Sequence, residues 1–375
     1  SCLRCHAKAG GGDWTKRGDM GLSSAHATID EDVHLAEAGA NLSCVSCHSA
    51  LDHKISGRGI DLRQTEADAP TCSACHSETP HSNATLNRHA GGQVSCQVCH
   101  IREYAKGGAT EISRDWTAPT WNQAFCSGQG GYVGHEVKDS NVKPEYVWFD
   151  GTSYVYNVGE TIDVDTDASG NDILHMARAN GQPFDGKSKI FPIKRHFTNT
   201  PLDDNGKIIP PAIMWMFMTG DFDQAVQKGL AEQDPEGKLY SGNYRMVNAD
   251  AEMLITHGVD PKSKAPSCTE CHDGDGLTQD GTGMVPFGAL GYREMPASVK
   301  SCTLCHDQKS LSWENTHNKH RTDSLSCSSC HTPEPSGVKQ GVCSSCHENE
   351  SWWGEGHKKH VKGKGIDCIS CHTFS

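Results

Sequence analysis

The pattern Cys-x-x-Cys-His occurs nine times in this chain of 375 residues. Two cysteines at this spacing can each form a thioether to a vinyl group of one haem, and the next histidine can then bind the iron. Zinc and redox sites also use C-x-x-C, but neither needs a histidine fixed directly after it. The pattern therefore predicts nine covalently bound c-type haems. The motifs are Cys2-Cys5-His6, Cys44-Cys47-His48, Cys72-Cys75-His76, Cys96-Cys99-His100, Cys268-Cys271-His272, Cys302-Cys305-His306, Cys327-Cys330-His331, Cys343-Cys346-His347 and Cys368-Cys371-His372.

The remaining histidines could supply the second axial ligands. Nine of the 22 histidines end a motif, which leaves 13 for nine irons. A six-coordinate haem usually takes His or Met as its second ligand. His89 lies seven residues before Cys96, too close to reach over its own haem plane, and is expected to bind the iron of a neighbouring haem. The surplus of histidines predicts irons closed on both faces, which suits electron carriers better than a substrate-binding haem.

The C-terminal part of the chain is a duplication. Residues 302–331 and 343–372 each contain two motifs, and between them a Trp followed by two histidines three residues apart. On a helix, such histidines project to one side and could bind two adjacent haems. The tail thus predicts four haems and four distal ligands, which are His317, His320, His357 and His360.

The spacing of the motifs divides the chain into four parts. We expect a four-haem module (1–100), a haem-free insert that wraps the haem core (101–267), a connector with the fifth haem (268–301) and the duplicated two-haem units (302–375). Hydrophobic residues are only 35% of the chain, so porphyrins would have to supply much of the apolar core. The predicted fold class is a multihaem cytochrome c, mostly irregular with short α-helices around nine haems. Alternating apolar residues around Asp150-Gly151 predict a small β-hairpin insert at about 140–165.

Two further features are weaker. Asp163, Asp165 and Asp167 alternate as in a calcium loop, but the glycine is misplaced and no Glu closes the loop, so a solvated turn is the preferred interpretation. Cys126 is the cysteine outside the motifs. We expect a small buried residue there, with an axial thiolate or an intermolecular disulfide as alternatives.

Charge and hydropathy restrict the partners and the compartment. The formal charge of −13 argues against nucleic acid and anionic membrane surfaces. The longest apolar run, 208–218, is interrupted by Pro210 and Pro211 and is too short to span a bilayer. Because haem is attached covalently after export, we expect a mature extracellular or cell-surface protein, alternatively a periplasmic one, whose leader has been removed.

Several stretches resemble the octahaem tetrathionate reductase family of cytochromes. They include VHLAEAGANLSCVSCHSALDHKISGRG, PEYVWFDG, KIFPIKRH and HGVDPKSKAPSCTECH, and the resemblance covers roughly residues 1–295. In that family the Lys-ligated catalytic haem lies before the motif that matches Cys2, and nothing corresponds to the duplicated tail. The resemblance implies a shared haem scaffold, with distal ligands for the first five haems at His34, His53, His81, His89, His196 and His257.

Two functions follow from these features. The favoured one is extracytoplasmic electron transfer along a chain of haems, without catalysis, to redox proteins or extracellular metal oxides. Haem motifs near both ends could let copies meet head to tail in a conducting filament, where a spare histidine such as His26 could bind a neighbour's haem. The alternative is a terminal reductase of tetrathionate, nitrite or hydroxylamine with one open haem.

Overall fold

The computed structural model describes residues 2–8, 12–51, 54–55, 70–271 and 284–292. The chain forms two compact units, Ser1–Gln182 with Ser188–Ala265, and Pro183–Lys187 with Pro266–Ser375. The four motifs that begin at Cys2, Cys44, Cys72 and Cys96 lie in the first unit. The fifth motif begins in the second unit, but His272 and the four motifs from Cys302 onward lie outside the described residues.

Short helices carry the motifs. Each is only about one turn long, which suffices to place two cysteines and the following histidine on neighbouring positions. The third motif begins in a 3₁₀ helix, Cys72–Ala74. Two other 3₁₀ helices are Leu22–His26 and Lys262–Lys264. The α-helices of the described residues are α1 (Leu3–His6), α2 (Cys44–Cys47), α3 (Ala84–Gly91), α4 (Cys96–His100), α5 (Phe125–Gly128), α6 (Ile213–Thr219), α7 (Phe222–Gln233) and α8 (Cys268–Cys271).

The segment between the fourth and fifth motifs builds a mixed sheet. The strands of the described residues are β1 (Ala50–Leu51) and β2 (Lys54–Ile55), which form a separate pair, and β3 (Thr110–Asn122), β4 (Gly131–Asp139), β5 (Glu145–Phe149), β6 (Ser153–Val155), β7 (Asp165–Thr166), β8 (Asp172–Ala179), β9 (Lys189–Asp203) and β10 (Tyr244–Leu254). In the mixed sheet the order is β4-β3-β9-β10-β8-β6, while β5 pairs with β9 and β7 with β8. The pairs β3–β9 and β8–β10 are parallel and the others antiparallel.

The long strand β9 lies at the centre of this sheet and is buried along most of its length. Ile193 packs with Phe149, Phe191 and Leu254 in one apolar cluster. A second cluster contains Leu202 at the other end of β9. The segment between the fourth and fifth motifs thus has an apolar core of its own, which the low hydrophobic content of the whole chain did not predict.

The predicted β-hairpin at about 140–165 is wrong in its pairing. Residues 145–149 and 153–155 are strands, but β5 pairs with β9 and β6 pairs with β8. Alternation of apolar side chains predicts a strand and its buried face, but it does not predict which strand pairs with it. The insert is also larger than a hairpin, since the sheet extends from Thr110 to Leu254. The irregular chain with short helices that we predicted is found in the described part of residues 2–109.

The second unit is described only in part. Met284 donates its backbone N–H to the carbonyl of Glu270, in α8, at 3.1 Å. The Tyr292 ring packs edge-on against Phe184 and Phe287, with ring centroids 4.9 and 5.2 Å apart. None of the helices in the described ranges combines the length and hydropathy needed to cross a membrane.

Candidate haem sites

Three motif histidines each face a histidine from elsewhere in the sequence. His76 faces His34, with ring centroids 6.0 Å apart and ring planes at 58°. His48 faces His257 at 6.1 Å and 34°. His100 faces His81 at 6.1 Å, with the two rings nearly parallel at 8°. The structure thus brings together three of the motif histidines with three of the predicted distal residues.

This spacing fits an iron held between two imidazoles. Metal–nitrogen bonds of about 2 Å place the centroids of two trans imidazoles about 6 Å apart, because each ring centre lies slightly behind its nitrogen. Imidazoles in van der Waals contact would stack more closely than this. The motif cysteines described in the first unit are unpaired thiols, exposed in the first three motifs and half-buried in the fourth. Ser95 Oγ, next to Cys96, is buried without a hydrogen-bond partner, as expected where a bound group would supply one. The residues therefore fit covalently attached haem.

Helix α4 fixes His100 against the sheet. Val98 and Ile101 are almost completely buried. The Ser95 N–H donates to the Ile190 carbonyl on β9 at 3.1 Å. His81 is held by a side chain of α3, because Asn87 Oδ1 accepts from the His81 backbone N–H at 2.9 Å and lies 3.2 Å from His81 Nδ1. The pair is thus built from one helix that ends in the motif histidine and another that orients its partner.

Two buried aspartates position the other distal histidines. Asp32 Oδ1 accepts from the His34 N–H at 2.8 Å, and Asp32 Oδ2 accepts from the Gly258 N–H at 2.7 Å. Asp19 Oδ2 accepts from the His257 N–H and lies 3.2 Å from His257 Nδ1. These carboxylates connect the loop before the second motif with the segment after β10, and so place His34 and His257 beside their partners.

The side chain of Asp19 is completely buried beside Arg17. Burial alone would raise the pKa of Asp19, but Arg17 and His257 more than offset it and hold that pKa far below its usual range. Arg17 Nε donates to Asp19 Oδ1 at 3.1 Å. An ionised carboxylate only accepts hydrogen bonds, so His257 Nδ1 would be the donor toward Asp19 and Nε2 would be the ring nitrogen that can bind a metal.

The second, third and fourth motifs are neighbours in space. The Cys72 and Cys96 thiols share a hydrogen bond. Burial raises the pKa of the Cys47 thiol, and the nearby Cys75 raises it further. Burial lowers the pKa of His100, and His81, His76 and His34 lower it further because like charges repel. Four of the six paired histidines thus lie within electrostatic reach of one another.

The structure places the other predicted ligands differently. His196, on β9, hydrogen-bonds through Nε2 to Glu111 Oε1 on β3 at 2.8 Å and faces no motif histidine among those described. His89 is half-buried on α3, where burial and then Arg88 lower its pKa. His6 ends α1 and is exposed. His53, His317, His320, His357 and His360 lie outside the described residues.

The remaining sequence features are the aspartates at 163–167 and Cys126. No group of three or more His, Cys, Asp or Glu side chains is arranged there to hold a free metal ion. Asp167 Oδ1 instead accepts from the Ser169 and Asn171 N–H groups, both at 2.9 Å, as the solvated-turn interpretation predicts. Cys126 is exposed rather than buried, and lies in a tight turn with φ +54°.

Sequence reasoning missed the residues that hold the distal histidines. Asp32 lies two residues before His34, a spacing that could have suggested a backbone contact. Asn87 follows His81 by six residues, and Asp19 is far from His257 in the sequence. No local pattern identifies Asp19, because the fold brings it there.

Comparison with known proteins finds similarity to c-type cytochromes. Residues 116–275 match the family model described as bacterial cytochrome c. Among solved structures, the octaheme cytochrome c from Shewanella oneidensis is similar to this chain, with a TM-score of 0.64 and 30% sequence identity. The match covers 79% of this chain and 66% of the length of that protein. No curated protein matches.

Proposed function

Because the chain is a multihaem c-type cytochrome, we propose that it carries nine covalent haems and acts as an extracytoplasmic electron-transfer protein. The nine Cys-x-x-Cys-His motifs support the number. Covalent attachment of haem after export supports the location. The observation that carries the function is the trio of histidine pairs with ring centroids 6.0 to 6.1 Å apart.

The pairs support an assignment of axial ligands. His34 and His76 would bind the iron of the third motif, His257 and His48 that of the second, and His81 and His100 that of the fourth. Two strong ligands on each iron leave the coordination unchanged when the charge of the iron changes, which keeps reorganisation small. When bound, haem supplies one-electron chemistry, and its potential depends on axial ligands, hydrogen bonding and burial.

The motif cysteines of the three sites lie close together. Cys72 lies beside Cys96, and Cys47 lies near Cys75. Haems attached at these cysteines would be neighbours, with the third-motif haem between those of the second and fourth motifs. The chain's own contribution is therefore to hold the axial imidazoles, to fix the spacing and to bury the sites in part. This arrangement favours conduction over catalysis.

Filament assembly and reduction of sulfur or nitrogen oxyanions stay predictions from the sequence. A reductase needs an iron with one position open to substrate. Each of the three described pairs instead has an imidazole on both sides of the space that an iron would occupy. The four motifs of the tail, with His317, His320, His357 and His360, stay predicted sites as well.

The proposal is tested by intact mass spectrometry and a redox titration of the holoprotein. We expect a mass increment of nine haems and low-spin spectra in both oxidation states. Fewer haems would refute the count. A substantial high-spin fraction that changes on addition of nitrite or tetrathionate would favour the reductase.

A further inference from the structure

The three distal histidines differ in what their Nδ1 atoms contact. His257 Nδ1 lies 3.2 Å from the Asp19 carboxylate and also 3.2 Å from the Thr256 hydroxyl. His81 Nδ1 lies 3.2 Å from the neutral amide oxygen of Asn87. His34 Nδ1 is 3.9 Å from Asp32 Oδ1, beyond hydrogen-bond distance. One distal ligand thus donates to an anion, one to an amide and one to neither of these groups.

The Asp19 carboxylate is held in place by several hydrogen-bond donors. Its buried carboxylate accepts from the Thr256 N–H at 3.0 Å, from the His257 N–H at 3.2 Å and from Arg17 Nε at 3.1 Å. Arg17 also donates to the Leu254 carbonyl at 3.2 Å, which anchors it to the end of β10. The carboxylate cannot rotate away from His257 without breaking several of these bonds.

A carboxylate on the Nδ1 side changes what an imidazole gives to a metal on its Nε2 side. It draws the Nδ1 proton toward itself, makes the ring more electron-rich and strengthens its donation to the metal. Stronger donation stabilises ferric over ferrous iron and lowers the reduction potential. An amide acceptor does the same more weakly, because it has no net charge.

We propose that Asp19 is a positioning residue that sets the potential of the second-motif haem below that of the fourth-motif haem, through the hydrogen bond from His257 Nδ1. This inference rests on the proposed assignment of His257 as an axial ligand. Neighbouring sites would then differ in potential although all three have the same pair of ligands. Such a gradient favours transfer of an electron from the second toward the fourth site.

The test is an EPR-monitored redox titration of the holoprotein with Asp19→Asn, in which each ferric signal disappears as its haem is reduced. Asn keeps an acceptor beside Nδ1 and removes the charge, as at Asn87. We expect the ferric-to-ferrous ratio of one haem to fall about tenfold at a fixed solution potential. For one electron this is a rise of about 59 mV in the reduction potential of that haem. Asn87→Asp is the reciprocal variant and should lower the potential of another haem.

Asp203→Asn is the matched control. Asp203 is similarly buried and accepts from the backbone N–H groups of Ser241 and Asn205, both at 2.8 Å, and its hydrogen bonds in the described part of the chain involve none of the paired histidines. Loss of structure alone would shift potentials in Asp203→Asn as much as in Asp19→Asn, and that result would overturn the inference. Unchanged potentials in Asp19→Asn, or in Asn87→Asp if Asp19→Asn fails to fold, would also overturn it.

His257→Gly separates this failure from failure of the ligand assignment. If His257→Gly opens one haem to carbon monoxide while Asp19→Asn shifts nothing, His257 is a ligand and only the role of Asp19 is wrong. If His257→Gly leaves every haem unchanged, the ligand assignment fails and the inference fails with it.

Discussion

The imidazole planes of His81 and His100 lie only 8° apart, whereas those of His34 and His76 are 58° apart at nearly the same separation. An axial imidazole donates electron density into the iron d orbital perpendicular to its ring. Two such d orbitals lie at right angles to each other on the iron. Two parallel rings therefore donate into the same orbital, whereas two crossed rings donate into both. Haems bound between these two pairs would therefore differ in electronic structure, although both pairs consist of imidazoles.

This difference predicts two kinds of ferric EPR signal. Parallel rings split the two orbitals widely and should give a rhombic low-spin signal from the fourth-motif haem. Rings near 58° split them less and should give a signal with a large maximal g value from the third-motif haem. His81→Ala should remove a signal of the first kind and His34→Ala one of the second kind. Loss of the same kind of signal in both variants would contradict the geometry.

A buried ion-pair network should stabilise the sheet. Asp250 on β10 contacts His175 Nδ1 at 2.8 Å and both Arg178 and Arg195 at 3.2 Å, with its side chain 3% exposed. Asp250→Ala leaves these groups without that partner, and removal of one member of a buried network costs about 3–5 kcal/mol. We expect a loss of this size in the free energy of unfolding, measured by denaturant titration of the holoprotein.

The exposed pair Asp172–Arg245 provides the control for that experiment. Its nitrogen–oxygen distance is 2.7 Å, but about half of each side chain is exposed. Asp172→Ala should therefore cost less than about 1 kcal/mol. Equal losses in the two aspartate variants would show that burial of the Asp250 network is not what stabilises the sheet.

Acid should weaken the loop that follows α7. Asp234 accepts from the backbone N–H groups of Lys238, Leu239 and Tyr240 at 2.8, 2.6 and 3.0 Å. Burial alone would raise the pKa of Asp234, but these donors outweigh it and lower the pKa below its ordinary value. A lowered pKa means that the folded state favours the charged form. The stabilisation is therefore complete above the ordinary Asp pKa of about 3.9 and is lost as the pH falls through the lowered value.

Asp234→Asn tests this pH dependence. The variant should be less stable than the wild type near neutral pH, because an amide accepts these bonds more weakly than a carboxylate. Denaturant titrations between about pH 6 and about pH 2 should show the difference narrowing as the wild-type carboxylate becomes protonated. A difference that stays constant over this range would contradict the role assigned to Asp234.

Local spacing in the sequence predicts the motif half of each site and little of the other half. His48, His76 and His100 follow their cysteines directly, so the motif predicts them as ligands. Their partners depend on how distant segments meet. His257 reaches His48 because the 256–260 segment after β10 bonds to Asp19 and Asp32, and nothing in the spacing of histidines encodes that contact.

The same limit applies to the sheet. Alternation near Trp148 and Tyr154 predicts strands there, and both strands exist. Their partners, β9 and β8, come later in the chain, and a short apolar pattern does not distinguish a near partner from a distant one. Strand β5 pairs with β9, where Phe149 is buried in the apolar cluster around Ile193. That cluster forms only when distant segments fold together, so a local pattern does not reveal it.

Carbon monoxide binding to the reduced holoprotein tests the central claim most directly. Two imidazoles on each iron leave no position for the gas, so the wild type should show no change in its absorption spectrum. His34→Gly, His81→Gly and His257→Gly should each gain one carbon monoxide-binding haem. No gain in these variants would show that the paired histidines do not close the irons, and binding by the wild type would show that at least one of the nine irons is open.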